Sequence, residues 1–143
     1  MVTKKSKDPI WLDAPEDHDY PAAASYLPLT YRSRIEESEH FLQMMEVEGL
    51  PNTDTLIELI TQKMSWAKYR LTPGSGKKHQ LRCHLNALGI PIKDDQIYPI
   101  LTPYQEYDLD VSKPLQLLAR EVSFLDPITN TQRIFVSKRA LDF

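Results

Sequence analysis

The chain of 143 residues has a single cysteine, Cys83, so no internal disulfide framework can form. It has no apolar run near the ~18 residues that span a bilayer, which excludes a transmembrane helix and a membrane partner. The start, MVTKKSKDPIW, is basic but lacks an apolar h-region and a small-residue cleavage site, and the chain reads as cytoplasmic. Internal repeats and low-complexity tracts are absent too. The most informative gap is one of charge. Between residues 61 and 93 there is no Asp or Glu, while Lys63, Lys68, Arg70, Lys77, Lys78, Arg82 and Lys93 all fall there. With a formal net charge of -3, that window of +7 leaves -10 for the rest of the chain. A basic face on an acidic body is the footprint of a polyanion partner. The alternative is a solvated surface on which like charges cluster.

The length suits one domain, and a hydrophobic fraction of 41% is enough for a core. Residues 1–29 read as a Pro-rich arm or loop, because Pro9, Pro15, Pro21 and Pro28 interrupt every helical period. Residues 30–143 read as the folded part. Strands are expected at residues 41–47 and 55–61, separated by the turn chemistry of Glu48-Gly49-Leu50-Pro51-Asn52. Another is expected at 65–71, where Trp66, Lys68 and Arg70 alternate with Ala67, Tyr69 and Leu71. Thr72-Pro73-Gly74-Ser75-Gly76 breaks the pattern, and Ser75 or Gly76 can cap a helix over 77–88, KKHQLRCHLNAL. Leu81, Leu85 and Leu88 form its apolar stripe, and Gly89 and Pro91 end it. Residues 94–113 are irregular. A closing hairpin is expected from 115–124 and 133–136 around Asp126-Pro127-Ile128-Thr129-Asn130. The fold class is α+β, a mainly antiparallel mixed sheet with one principal helix.

The stretch from Arg70 to Tyr98 contains Gly76, Lys77, His79, Gln80, Leu81, Arg82 and His84, then Gly89, Pro91, Ile92, Asp95 and Tyr98. At these spacings it resembles the C-terminal motif of RluA-type RNA pseudouridine synthases, and the resemblance extends over roughly residues 33–141. It implies the C-terminal half of the pseudouridine synthase fold, conversion of uridine to pseudouridine in rRNA or tRNA, and no metal or organic cofactor. Two positions depart from the family. Asp94 stands where a glycine usually precedes the aspartate matched by Asp95, and Leu118 stands where histidine is common. The family's catalytic His-Arg-Leu-Asp motif has no match in the chain, and neither Tyr20, Tyr26 nor Tyr31 sits in the context of the family's active-site tyrosine.

Arg82 matches the arginine that, in the family, pairs the catalytic aspartate. A planar guanidinium that never deprotonates suits that task. With the motif absent, Arg82 is expected to lack an intramolecular partner of that kind, and the chain alone is expected to be inactive. Lys68, Arg70, Lys77, Lys78 and His79 are the candidate RNA contacts, with Lys77 and Lys78 at a helix N-terminus that attracts anions. Each could instead be a solvated side chain. His79 and Cys83, at i and i+4, have metal-pair spacing but no second ligand pair. His84 reads as a packed or hydrogen-bonded histidine. Trp66 and Tyr69 could stack bases, although Tyr69 beside Leu71 reads as core. Three classes of function remain: half of a synthase whose other half comes from a second chain, a non-catalytic RNA-binding module, or a remnant serving as a protein-interaction scaffold. If sheet partners are missing, residues 55–61 and 115–124 are the expected open edges, inviting self-association unless the arm covers them.

Overall fold

The fold is described from a computed structural model, which describes residues 2–4, 28–39, 43–63, 66–101 and 112–142. Five strands form one sheet: β1 (Val2–Lys4), β2 (Leu29–Glu37), β3 (Met44–Val47), β4 (Thr53–Lys63) and β5 (Trp66–Pro73). Their order is β1-β5-β4-β2-β3, and every pairing is antiparallel. The α+β expectation of a mostly antiparallel sheet with one helix holds, but among the described residues no parallel pair makes the sheet mixed.

Alternation decides which side of each strand is buried. Tyr31 and Ile35 on β2, and Thr53, Thr55 and Ile57 on β4, face inward. On β5, Ala67 is buried and Tyr69 and Leu71 pack on the core, while Arg70 is exposed on the other face. The helix α1 (Gln80–Ala87) covers the inner face. Its Leu85, with Leu88 just past its end, joins Tyr31, Ile57 and Ile92 in the main core, and Cys83 joins Ile35 and Met44 in a second cluster.

Several sequence expectations shift. Strand β2 lies where none was anticipated, and β1 occupies part of the segment read as loop; residues 5–27 of that segment lie outside the described residues. The strand expected from residue 41 begins at Met44, with residues 41 and 42 outside the described set. The strand expected at 55–61 is longer; β5 pairs along it, and β2 pairs with its first half up to Ile57, so over residues 55–57 it is no open edge. The helix starts at Gln80 rather than 77, with His79 as its N-cap in the left-handed region at φ 53°. Neither Ser75 nor Gly76 caps it. Ser75 instead bonds the Gln80 side chain, whose Oε1 also accepts the Lys77 N–H and closes the turn before the helix.

The closing hairpin is present but shorter, as β6 (Glu121–Leu125) and β7 (Gln132–Val136). Asp126 Oδ1 accepts the N–H groups of Ile128 and Thr129 in its turn, and Asn130 takes a left-handed φ of 51°. The register places Val122, Phe124 and Phe135 on one face and Leu125, Ile134 and Val136 on the other. All six are exposed.

Candidate nucleic-acid interface and its buried support

The turn before α1 and the loop after it converge on one cluster. Arg82 projects from the first turn of the helix and donates from Nε to Asp95 Oδ2 at 2.9 Å and from Nη2 to Oδ1 at 2.6 Å. Asp95 is fully buried in its side chain, and Arg82 is 15% exposed. Oδ1 also accepts the backbone N–H groups of Ile97 and Tyr98, so one carboxylate fixes both the guanidinium and the following turn. Arg82 thus has an intramolecular carboxylate partner, one that the matched motif carries at Asp95 rather than in a His-Arg-Leu-Asp run. The fork-on-fork geometry is the strong form of this pairing.

Tyr98 is the second pivot. Its ring lies 5.5 Å from the Arg82 guanidinium carbon and edge-on to His79, with 5.9 Å between ring centroids. Its hydroxyl accepts the Met44 N–H and donates to the Met44 carbonyl, tying this loop to β3. Burial lowers the His79 pKa first, and the positive charges of Arg82 and Lys78 lower it further, so the ring tends to stay neutral.

Beneath the cluster lies a closed hydrogen-bond relay. The Thr53 hydroxyl donates to the Ser33 carbonyl, so its oxygen can accept from His84 Nε2, 3.0 Å away. Gln80 Nε2 donates to Thr55 Oγ1, which leaves the Thr55 proton for His84 Nδ1 at 2.9 Å. These directions fix His84 as the neutral Nε2–H tautomer. Burial pushes its pKa down to about 4. His84 is thus the packed, hydrogen-bonded histidine that the sequence suggests. Cys83 faces the inner side, where its thiol donates to the Met44 carbonyl and burial, then the Glu46 charge, raises its pKa to about 11.

No family model matches the chain. Curated relatives do. The dual-specificity RNA pseudouridine synthase RluA of Vibrio vulnificus is 43% identical over 58 residues, 41% of this chain and 21% of that protein. The same enzyme from Pasteurella multocida is 40% identical over 76 residues, 52% and 32% respectively. That from Haemophilus influenzae is 38% identical over 71 residues, 50% and 30%. Over part of its length, the chain is similar to RluA-type pseudouridine synthases. The matches span between 21% and 32% of the lengths of these RluA proteins.

Of the residues that the RluA resemblance singles out, Arg82 and His79 come together around Tyr98, with Asp95 as a member whose role the sequence did not reveal. Lys77 and Lys78 are exposed, but in the turn ahead of the helix rather than in its first turn. Lys78 lies 3.8 Å from Glu37 in an exposed pair. Lys68 and Arg70 sit on β5, on the sheet face away from α1, so the basic window is divided between two surfaces. Arg70 lies opposite Glu58 in the β4–β5 register, which offsets charge on that face. The Thr53–His84–Thr55–Gln80 relay was missed. Its only trace in the sequence is the pair of polar β-branched residues at period two, set against Gln80 and His84 one helical turn apart. Among the described residues, no helix is long and apolar enough to cross a membrane.

Proposed function

We propose that this chain is an RNA-binding, pseudouridine synthase-like unit that presents Arg82 to an active site whose catalytic carboxylate lies outside its own 143 residues. The observation that carries this reading is the way Arg82 is held. Two of its nitrogens are fixed by Asp95, and Nη1 has no hydrogen-bond partner among the described residues. A guanidinium gripped along one edge is pre-oriented toward a second anion along the other. The substrate class is a uridine in rRNA or tRNA, and Lys77, Lys78 and His79 border the phosphate path, with Lys68 and Arg70 as a second basic group on the far face. No cofactor is required. The chain alone is inactive, because the His-Arg-Leu-Asp motif is absent from its sequence.

Tritium release from uridine-labelled cellular RNA tests this. The purified chain is expected to give only background release while binding RNA in a salt-dependent manner. Turnover by the chain alone, abolished by changing one of its own carboxylates, would sink the reading. One observation favours a second reading, a non-catalytic RNA-binding module: Arg82 is already neutralised by Asp95 and needs no other carboxylate. Mixing the chain with a fragment carrying the missing motif separates the two. Restored turnover that depends on Arg82 supports the split site, and RNA binding without rescue supports the module. The exposed apolar hairpin β6–β7 is the surface on which a second chain, or a scaffold role, would depend.

A further inference from the structure

His79 carries an imidazole at a backbone position that does not favour one. It precedes α1 at φ 53° and ψ 15°, in the left-handed region where glycine is at ease and a Cβ is not. The ring does not offset this by capping the helix, for it makes no side-chain cap hydrogen bond. Nor does it anchor the core, since it is half-buried beside the exposed Lys77 and Lys78. A side chain kept on such a backbone points to a use for the side chain itself. There is room for a ligand nearby: a Cβ added at Gly76 would meet nothing within 4 Å.

The hydrogen bonds of the ring leave one nitrogen idle. The Tyr98 hydroxyl spends its proton on the Met44 carbonyl. His79 Nδ1, 3.5 Å from that oxygen, can therefore meet it only as the donor. The neutral ring then carries its proton on Nδ1, and Nε2 is a bare acceptor with no hydrogen-bond partner among the described residues. Protonating Nε2 breaks no hydrogen bond; what opposes it is burial and charge. Lys77 and Lys78 stand in the same turn, and Arg82 in the first turn of α1. Against them stand Asp95, beside Tyr98 in the loop after α1, and Glu37 at the end of β2. Asp95 is already matched by Arg82, and Glu37 meets Lys78 at 3.8 Å. The cations prevail: burial, then Arg82, then Lys78 hold the ring below the ordinary histidine range.

A phosphodiester on this turn supplies the missing counter-charge. We propose that an RNA phosphate seated on the 77–79 turn is bound together with a proton, taken from solvent onto His79 Nε2, so that the imidazolium joins Lys77 and Lys78 as a third cation. Nε2–H then donates to a phosphate oxygen, a charge-assisted hydrogen bond that the neutral tautomer cannot make. RNA binding is thereby linked to pH. Affinity rises as pH falls through the bound-state pKa of the ring and levels off below the free-state one. The inference rests on the RNA-binding reading above.

The test follows the His79 ring protons by NMR through a pH titration of the chain alone, with oligouridylate and with inorganic phosphate. The ring is expected to titrate at higher pH with oligouridylate than without it. At constant salt, the parent should bind oligouridylate about tenfold more tightly at about pH 5.5 than at about pH 8. Its salt slope should steepen by roughly 0.7 on the acid side, the worth of one more contact to a single strand. His79→Gly suits the left-handed backbone and removes the ring. It should match the parent at about pH 8 and lose both the acid-side gain and the steeper slope. A ring that titrates alike with and without oligouridylate, or an acid-side gain that survives in His79→Gly, overturns the proton linkage and leaves RNA binding standing. An equal response to inorganic phosphate makes the turn a general anion site and overturns the RNA assignment. Absence of RNA binding at low salt, at either pH, overturns the inference and the RNA-binding reading together.

Discussion

Arg82 and Asp95 lie thirteen positions apart in sequence and meet through two parallel hydrogen bonds, with the carboxylate wholly buried. The pair joins α1 to the turn that carries Tyr98. Asp95→Asn keeps an acceptor for the Ile97 and Tyr98 amides but strips Arg82 of its counter-charge in a place with little water. A loss of about 3 kcal/mol is expected, as for other buried pairs that lose one partner. Urea denaturation of parent and variant measures it, and a change below about 1 kcal/mol would show that Arg82 finds water or another anion instead.

The His84 relay predicts a pH dependence of stability. The neutral ring fits between Thr53 and Thr55, and its folded-state pKa of about 4 lies below the ordinary histidine value of 6.5. The unfolded chain therefore takes up a proton that the folded chain refuses. This contribution to stability is fully present above about pH 6.5 and is lost progressively as pH falls toward 4. Unfolding midpoints at a series of pH values should trace that decline, and His84→Asn should flatten it while lowering stability at neutral pH.

The Tyr98 hydroxyl is both acceptor and donor for Met44. Tyr98→Phe keeps the ring against Arg82 and leaves both Met44 groups without this partner. A cost of about 1–3 kcal/mol is expected, together with faster hydrogen exchange at the Met44 amide. Unchanged exchange would mean that the loop does not hold β3 in place.

Lys77→Ala with Lys78→Ala removes two exposed charges without touching the Arg82–Asp95 pair. If both residues hold RNA phosphates, the dependence of log affinity on log salt should lose roughly 0.7 per contact on a single strand. Titrations of a mixed-sequence RNA between low and moderate salt decide it. An unaltered slope would move the phosphate path elsewhere, toward Lys68 and Arg70.

The sequence was most legible where one period dominated. The alternation on β5 separates Tyr69 and Leu71 from Arg70, and the spacing of Leu85 and Leu88 marks the buried side of the helix. Strand β2 was hidden because polar Ser33 stands between Tyr31 and Ile35 on its inward face, while Arg32, Arg34 and Glu36 alternate with them. The helix start was misplaced because it depends on the left-handed His79 and on the Gln80 side chain reaching back to Lys77, a tertiary arrangement rather than a capping residue. Asp95 was visible as a motif match but not as the partner of Arg82, because only the folded turn brings the two together. Glu46 gave no signal in sequence, since its orientation comes from Tyr31 across the sheet.

The β6–β7 hairpin carries a consequence for the life of the chain in a cell. Phe124 and Phe135 stack at 6.0 Å between ring centroids, yet both remain open to water, as do Leu125 and Ile134 on the reverse side. Two strands alone are marginally stable, and sticky apolar side chains on a fraying ribbon are what holdase chaperones and quality-control proteases select. A partner that covered these two faces would slow that clearance, and the turnover of the chain would then report how much of it is assembled.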